Sequence, residues 1–430
     1  MKRILAILLA LIMITGVFAS CAQDGGTTPP SSDASGQTFD SDETFRVGAI
    51  YPLSGANALL GRQCLDAVRI AVDFINEQGG VHGMRVELFE ADAPDPTAAT
   101  TEAGRLIDQM NVEVIFGSLA SGNSMAIAGV ADRSRVHLVE SGGIADQITG
   151  SGFRYVYRIL DMGSLRGASG AAYLEYLAGL MDIPVNELRV AILHEDTSFG
   201  ISVGIGAEAQ LIEMGAQVVF NEQYNAQIAS MAALVLRIRE AQPDVLITVS
   251  YINDAILLVD TLQQYNAMPK VFMGFGAGTT DPNFAMTIGD VSDGMFSVDM
   301  PTNLPLSVFD SNPELRATIE RFREAWLAKN PDMINVSIAA EAAFAGAYTF
   351  MHEILPRAAS LEPEDVRAAA LGTNLDLTAL GFGWNLGEGG QNYAAAANIN
   401  QWQGGEIITI YPESLRTGEL INVPLPIANR

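Results

Sequence analysis

Short apolar runs alternate along this chain with stretches in which apolar residues recur every three or four positions. Residues 46–51 form the first run. Over 61–78, Leu65, Val68, Val72 and Ile75 recur at helical spacing, and Gly79 and Gly80 stop the helix. Residues 84–90 alternate as a strand, 97–110 read as a helix, and 112–116 and 136–139 as strands. Between those last two lies a loop of small polar residues, 117–124, leading into a helix over 125–131. Strand–helix alternation of this kind predicts a parallel sheet covered on both faces. Ligands of such sheets lie at the carboxyl ends of the strands. The loops at Ser54, Asp92, Ser121 and Ser141 then share one rim.

The pattern restarts further on, with strands over 189–193, 217–220, 244–249 and 270–273 and helices over 198–214, 229–241 and 255–265. The glycine-rich run 274–278 lacks the helix and acidic partner of a dinucleotide fingerprint and reads as a rim loop. Beyond 298 the chain turns helical, over 312–329, 337–358 and 363–371, and it closes on a strand at 407–411. Helices without strands need a sheet to cover, so the chain is expected to return to the first unit and then to the second. The predicted fold is α/β, with two Rossmann-like lobes facing across a cleft. The division expected is 45–160 plus 299–390 for one lobe and 161–298 plus 391–430 for the other.

Charge and the N-terminus change this picture in two ways. Lys and Arg number 24 against 50 Asp and Glu, a net charge of -26, which would repel a phosphate backbone and argues against a nucleic-acid partner. Lys2 and Arg3 precede a short apolar stretch, 4–17, and then Phe18-Ala19-Ser20-Cys21. This reads as a signal peptide over 1–20 with a lipobox, Cys21 being the lipidated mature N-terminus. Residues 22–44 have almost nothing to bury and read as a flexible tether. The chain is thus expected to be exported and held at the membrane by lipid alone, in the periplasm or on the outer cell surface. Cys64 is left without a partner for a disulfide and reads as a small buried hydrophobe.

Motifs for catalysis are sparse. The four histidines are scattered without metal-ligand spacing, and no CxxC, Walker loop or GxGxxG occurs, so neither a metal nor a cofactor is expected. Residues 200–204 match G-x-S-x-G around Ser202. A hydrolase elbow follows its strand directly, whereas residues 194–199 intervene here, so Ser202 is expected inside a helix.

Taken in order, the motifs Val47-Gly48-Ala49-Ile50-Tyr51-Pro52-Leu53-Ser54-Gly55, Ala71-Val72-Asp73-Phe74-Ile75-Asn76-Glu77-Gln78-Gly79-Gly80-Val81-His82-Gly83, Asp95-Pro96-Thr97-Ala98-Ala99, Phe116-Gly117-Ser118 and Tyr157-Arg158-Ile159 carry a resemblance. The chain resembles the type I periplasmic binding proteins of ABC importers, in the branched-chain amino-acid group, from about Arg46 to Tyr411. The resemblance implies three hinge crossings and closure around a small ligand. It implies a monomer that delivers an amino acid, or a related small carboxylate or amide, to an ABC permease. A ligand-sensing receptor of the same fold, or an exported serine hydrolase using Ser202, are the alternatives.

The resemblance also places ligand contacts. Ser121 matches the serine that holds the ligand carboxylate. Gly142 and Ile144 match backbone contacts, and Ile144 lacks the hydroxyl of the threonine common there. Phe199 and Tyr251 match two aromatic contacts, and Leu60, with Leu59 and Phe275, could line an apolar pocket. The acid that pairs with the ligand ammonium falls at Gly276. Either Glu140, Glu195, Asp196 or Asp254 then replaces that acid, or the ligand has no ammonium.

Overall fold

The computed structural model describes residue 39 and residues 43–426, so the signal peptide, Cys21 and nearly all of the tether lie outside the described residues. A first sheet has the order β2-β1-β3-β4-β5, every neighbour parallel. Its strands are β1 (Thr44–Tyr51), β2 (Arg85–Asp92), β3 (Val114–Gly117), β4 (His137–Glu140) and β5 (Val156–Arg158). Helices α1 (Ala58–Glu77), α2 (Pro96–Met110), α3 (Ser121–Ser134) and the short α4 (Gln147–Gly150) connect them. α1 buries Leu65, Val68, Val72 and Ile75, the stripe its spacing announced. α2 begins where it does because Asp95 accepts from the Ala98 N–H and Pro96 fills a position needing no N–H.

The chain leaves this sheet after β5 and enters α5 (Gly163–Leu180). Next come β6 (Arg189–Glu195), α6 (Ser198–Met214), β7 (Gln217–Tyr224), α7 (Ala232–Ala241), β8 (Val245–Val249), α8 (Ile252–Gln264) and β9 (Val271–Phe275). Two short helices, α9 (Ala277–Thr280) and α10 (Pro282–Ile288), follow, then β10 (Phe296–Asp299). The glycine-rich run expected as an open loop is therefore the end of β9 and the start of α9, because Gly276 turns the chain at φ +81°.

After β10 the chain crosses back. α11 (Pro313–Lys329) and α12 (Ile338–Thr349) pack on α1, where Phe344 stacks on Phe322 at 3.9 Å and meets Phe74 edge-on at 6.0 Å. Every residue of α12 is buried, so it has no polar face to mark it as amphipathic. The single helix expected to 358 ends at Thr349 and passes into a wider turn over Phe350–Ile354, and Pro356, two residues beyond that turn, has no N–H with which to continue it. The chain continues through α13 (Pro363–Gly372) and a small hairpin, β11 (Asn374–Leu375) with β12 (Trp384–Asn385). It then adds β13 (Asn398–Gln403) and β14 (Glu406–Tyr411) antiparallel to the second sheet, whose order is β14-β13-β10-β9-β8-β6-β7.

Side chains tie the three crossings together. Arg158 donates to Gln391 Oε1 and to the Ala145 carbonyl, while Gln391 and Asn392 donate to the carbonyls of Leu160 and Ile159. Arg166 sits buried between Asp161, on the first crossing, and Asp299, at the start of the second.

α5 and α6 make the closest helix contact of the second unit, and glycines permit it. A Cβ on Gly167 would stand 2.1 Å from the Val203 carbonyl oxygen, and one on Gly206 would stand 1.9 Å from that of Ser164. Gly167→Ala should therefore force the helices apart and destabilise the fold by about 1–3 kcal/mol. A urea unfolding midpoint equal to that of the parent protein would contradict this close-contact account.

Candidate functional site

Each parallel sheet has a point where its connections diverge. From β1 the chain runs to β2 on one side and β3 on the other; from β6 it runs to β7 and to β8. Loops leaving the strands there part and open a crevice. The two crevices face each other around one cavity of about 50 Å³. One buried water needs roughly 10–15 Å³ by this kind of measure, so the space suits a small molecule and not a chain.

Six of the seven sequence-predicted contacts line this cavity: Ser121, Gly142, Ile144, Phe199, Tyr251 and Gly276. Leu60 does not. It is buried at α1 beside a separate small pocket with Ala56, Asn57, Leu59, Ile252 and Asn253, near the point where Asn253 donates to the Ala56 carbonyl. Phe275 is buried in the core, away from the cavity lining.

Ser121 is not a loop residue but the first residue of α3. Its hydroxyl oxygen accepts from the Ile144 and Ala145 N–H groups, each at 3.1 Å, which leaves its O–H free to donate. The residue before it, Ala120, has no side chain to cap the helix, so the positive end of α3 meets the cavity uncovered. Next to it, the loop after β4 is held by the chain's own carboxylate. Glu140 Oε1 accepts from Gly142 and Gly143 N–H at 2.7 and 2.5 Å, and Oε2 from Ser118 N–H at 2.9 Å. Gly142 must be glycine, since a Cβ would lie 2.5 Å from the Ser118 carbonyl oxygen.

The facing wall repeats the device. Glu195, at the end of β6, accepts from the N–H groups of Thr197 and Gly200 and from the Thr197 hydroxyl, at 2.6–2.7 Å. This fixes the turn that presents Phe199, whose ring lies 5.5 Å from that of Tyr251. Ser202 lies within α6, where its oxygen accepts from the Asp146 N–H at 3.2 Å, so the strand-to-helix elbow of a hydrolase is not formed. Asp146 also accepts from the Ser164 N–H at 3.0 Å, in the first turn of α5.

None of the four acids proposed to replace the charge missing at Gly276 lines the cavity. Glu140 and Glu195 are engaged as described, Asp196 is exposed beside Asn225, and Asp254 accepts from the Tyr224 hydroxyl. The charged residues that do line it are Arg166 and Asp299, which sequence reasoning missed. α5 shows no apolar period to frame Arg166, and Asp299 ends β10, a strand absent from the sequence expectation. Leu119, Leu160, Met300, Ile338 and Ala339 make the remaining surface mainly apolar.

The family model described as periplasmic binding protein matches residues 44–406. Leu/Ile/Val-binding protein homolog 7 of Brucella abortus is 30% identical over 403 residues, covering 93% of this chain and 96% of the relative. Among solved structures, a leucine-binding protein of Thermotoga maritima aligns with a TM-score of 0.73 at 20% identity, over 86% of this chain and 98% of that one. A branched-chain amino acid transporter substrate-binding protein of Streptococcus pneumoniae in complex with isoleucine aligns at 0.69 and 18%, over 86% and 100%. A solute-binding protein from R. palustris in complex with benzoate aligns at 0.71 and 17%, over 89% and 100%.

Burial sets the acidity of the carboxyls around this cleft. It pushes Glu140 up to about 7, against the opposing hydrogen bonds from Ser124 and the loop N–H groups, and Asp254 up to about 7. It raises Glu195 and Asp299 as well. In the unfolded chain these groups ionise in the ordinary carboxylate range, so between that range and about pH 7 the folded protein holds more protons. Their stabilisation is complete below that range and is lost as pH rises through 7. The thermal midpoint should fall from pH 5 to pH 8, and Asp254→Asn should flatten the fall. A midpoint that rises over this interval would refute the assignment.

Proposed function

The chain belongs to the periplasmic binding protein family, and from that premise we propose that it is the extracytoplasmic solute-binding lipoprotein of an ABC importer. It captures a small amino acid, or a related small carboxylate or amide, and delivers it to a membrane permease. The lobes that close are 45–160 with 299–390, and 161–298 with 391–430. The family binds substrates rather than converting them. No helix among the described residues is long and apolar enough to cross a membrane, and in this reading Cys21 carries the lipid anchor.

One observation carries the reading most: Ser121, Gly142 and Ile144 from the first unit and Phe199, Tyr251 and Gly276 from the second line one cavity. A site split in this way is complete only when the two units approach. A small carboxylate suits it, because the Ser121 O–H and the uncapped start of α3 offer donors for negative charge. Isoleucine and benzoate, held by two of the structural neighbours, share that group.

Removing the Ser121 hydroxyl should weaken binding of a carboxylate ligand by about 1–3 kcal/mol. Isothermal titration of Ser121→Ala against the parent protein measures it, and equal affinities would rule out this end of the site. For the anchor, Cys21→Ser should move the protein from the membrane fraction to the soluble exported fraction; retention on membranes would exclude lipidation there.

A further inference from the structure

We propose that the groove between α5 and the segment following β14 is a second binding site, which takes an organic cation of the alkylated-ammonium type. The groove shares no lining residue with the cavity that holds Ser121, so the site stands or falls independently of the cleft reading.

The groove follows from the way α5 is used. The helix packs over β9 and β10 and against α6, and it buries Leu174, Leu177 and Ala178. The sheet continues past β10 to β13 and its edge strand β14. Between α5 and that edge lies a groove of about 960 Å³. Its far wall is the segment after β14, which doubles back so that the Thr417 N–H donates to the Thr409 carbonyl at 2.9 Å. A second stripe of α5, Leu165, Ser169, Ala172, Tyr176 and Leu180, recurs at helical spacing and is exposed. All of it except Leu165 lines the groove.

Three tyrosines give the groove its chemistry. Tyr173 is half-buried and meets Phe296 of β10 edge-on at 6.3 Å. Its ring lies 5.4 Å from that of Tyr176, on α5, and 5.8 Å from that of Tyr411, on β14. No ring contact joins Tyr176 to Tyr411 among the described residues, so the two outer rings flank Tyr173 rather than cover each other. They are 54% and 53% exposed, and Leu180 is 46% exposed. An aromatic face is negative and attracts a cation within about 6 Å of the ring centre.

The rim carries the same sign. Glu175, Glu413 and Glu419 line the groove with Arg416 as the one basic residue beside them. Arg416 is taken up by the chain itself: it pairs with Glu413 at 3.3 Å and with Glu419, and donates to the Gly418 carbonyl. Glu175 has no ion pair among the described residues. An ammonium clothed in alkyl or aryl groups satisfies aromatic faces, apolar walls and carboxylates together, whereas an anion is repelled. A second copy of the chain suits the groove poorly. A two-fold contact sets a patch against itself, and these carboxylates would then face their own copies on chains of net charge -26.

The test is isothermal titration of the full chain with choline, benzyltrimethylammonium and 3,3-dimethylbutan-1-ol, in which carbon replaces the choline nitrogen. Both cations should bind, choline about fivefold or more tighter than its neutral analogue. Tyr176→Ala and Tyr411→Ala should each weaken the cations about fivefold, while Tyr411→Phe, which keeps the ring face, should stay within about twofold of the parent. Both rings are exposed, so these variants should fold as the parent does. Glu175→Gln should weaken the cations and leave the neutral analogue unchanged. No binding of either cation, equal binding of the neutral analogue, or cation binding kept in the double Tyr176→Ala, Tyr411→Ala protein overturns the proposal. So does sedimentation of the parent as a dimer that Tyr176→Ala dissociates, which would give the face to a second copy.

Discussion

Backbone N–H groups at the carboxyl end of a parallel sheet must find acceptors once two such ends are brought together and water is excluded. In this protein two glutamates meet that need. Glu140 closes the last strand-end loop before the first crossing, and Glu195 does the same at the start of the second sheet. Each sits one side of the cavity and spends its oxygens on the backbone. The loops that bear Ile144 and Phe199 are therefore held by the chain itself, before any ligand arrives. The carboxyls are buried for this purpose, and their raised proton affinity is the cost of that position.

Much of the architecture was legible because it depends on periodicity. The stripes in α1 and α8 and the apolar runs of β1, β6, β8 and β9 are visible in any reading of hydrophobic spacing. The elements that were missed lack that signal for physical reasons. α5 meets α6 through Gly163 and Gly167, so its contact face is built from absent side chains. β13, Asn-Ile-Asn-Gln-Trp-Gln, is almost wholly buried yet polar, because Asn400 and Gln401 bond to Thr409 and to the carbonyls of Gly294 and Ile421. Amides bonded in this way to a neighbouring hydroxyl and to backbone carbonyls can be buried without looking apolar.

The cavity lining was legible to a similar depth. Motif order picked out the residues at strand ends, and those residues do meet. It could not supply Arg166 or Asp299. Their importance comes from the crossing of three chain segments, which no local window contains. Leu60 failed for the opposite reason: it is apolar and near the cleft, but the turn of α1 aims it at a neighbouring pocket. The vacancy at Gly276 looked like a lost function in sequence. In space it is room taken by the Phe199 ring.

Asp146 gives the seam between the units a further property. α5 starts at Gly163 after Met162, which supplies no capping side chain, and the acceptor for its first turn is the Asp146 carboxylate from the other unit. A helix in one body is thus capped by a residue of the other. Loss of that contact would uncap the helix, at a cost of about 0.5–2 kcal/mol. The Ser164 amide is a natural reporter of this contact, since its exchange with solvent hydrogen is slowed by the bond to Asp146.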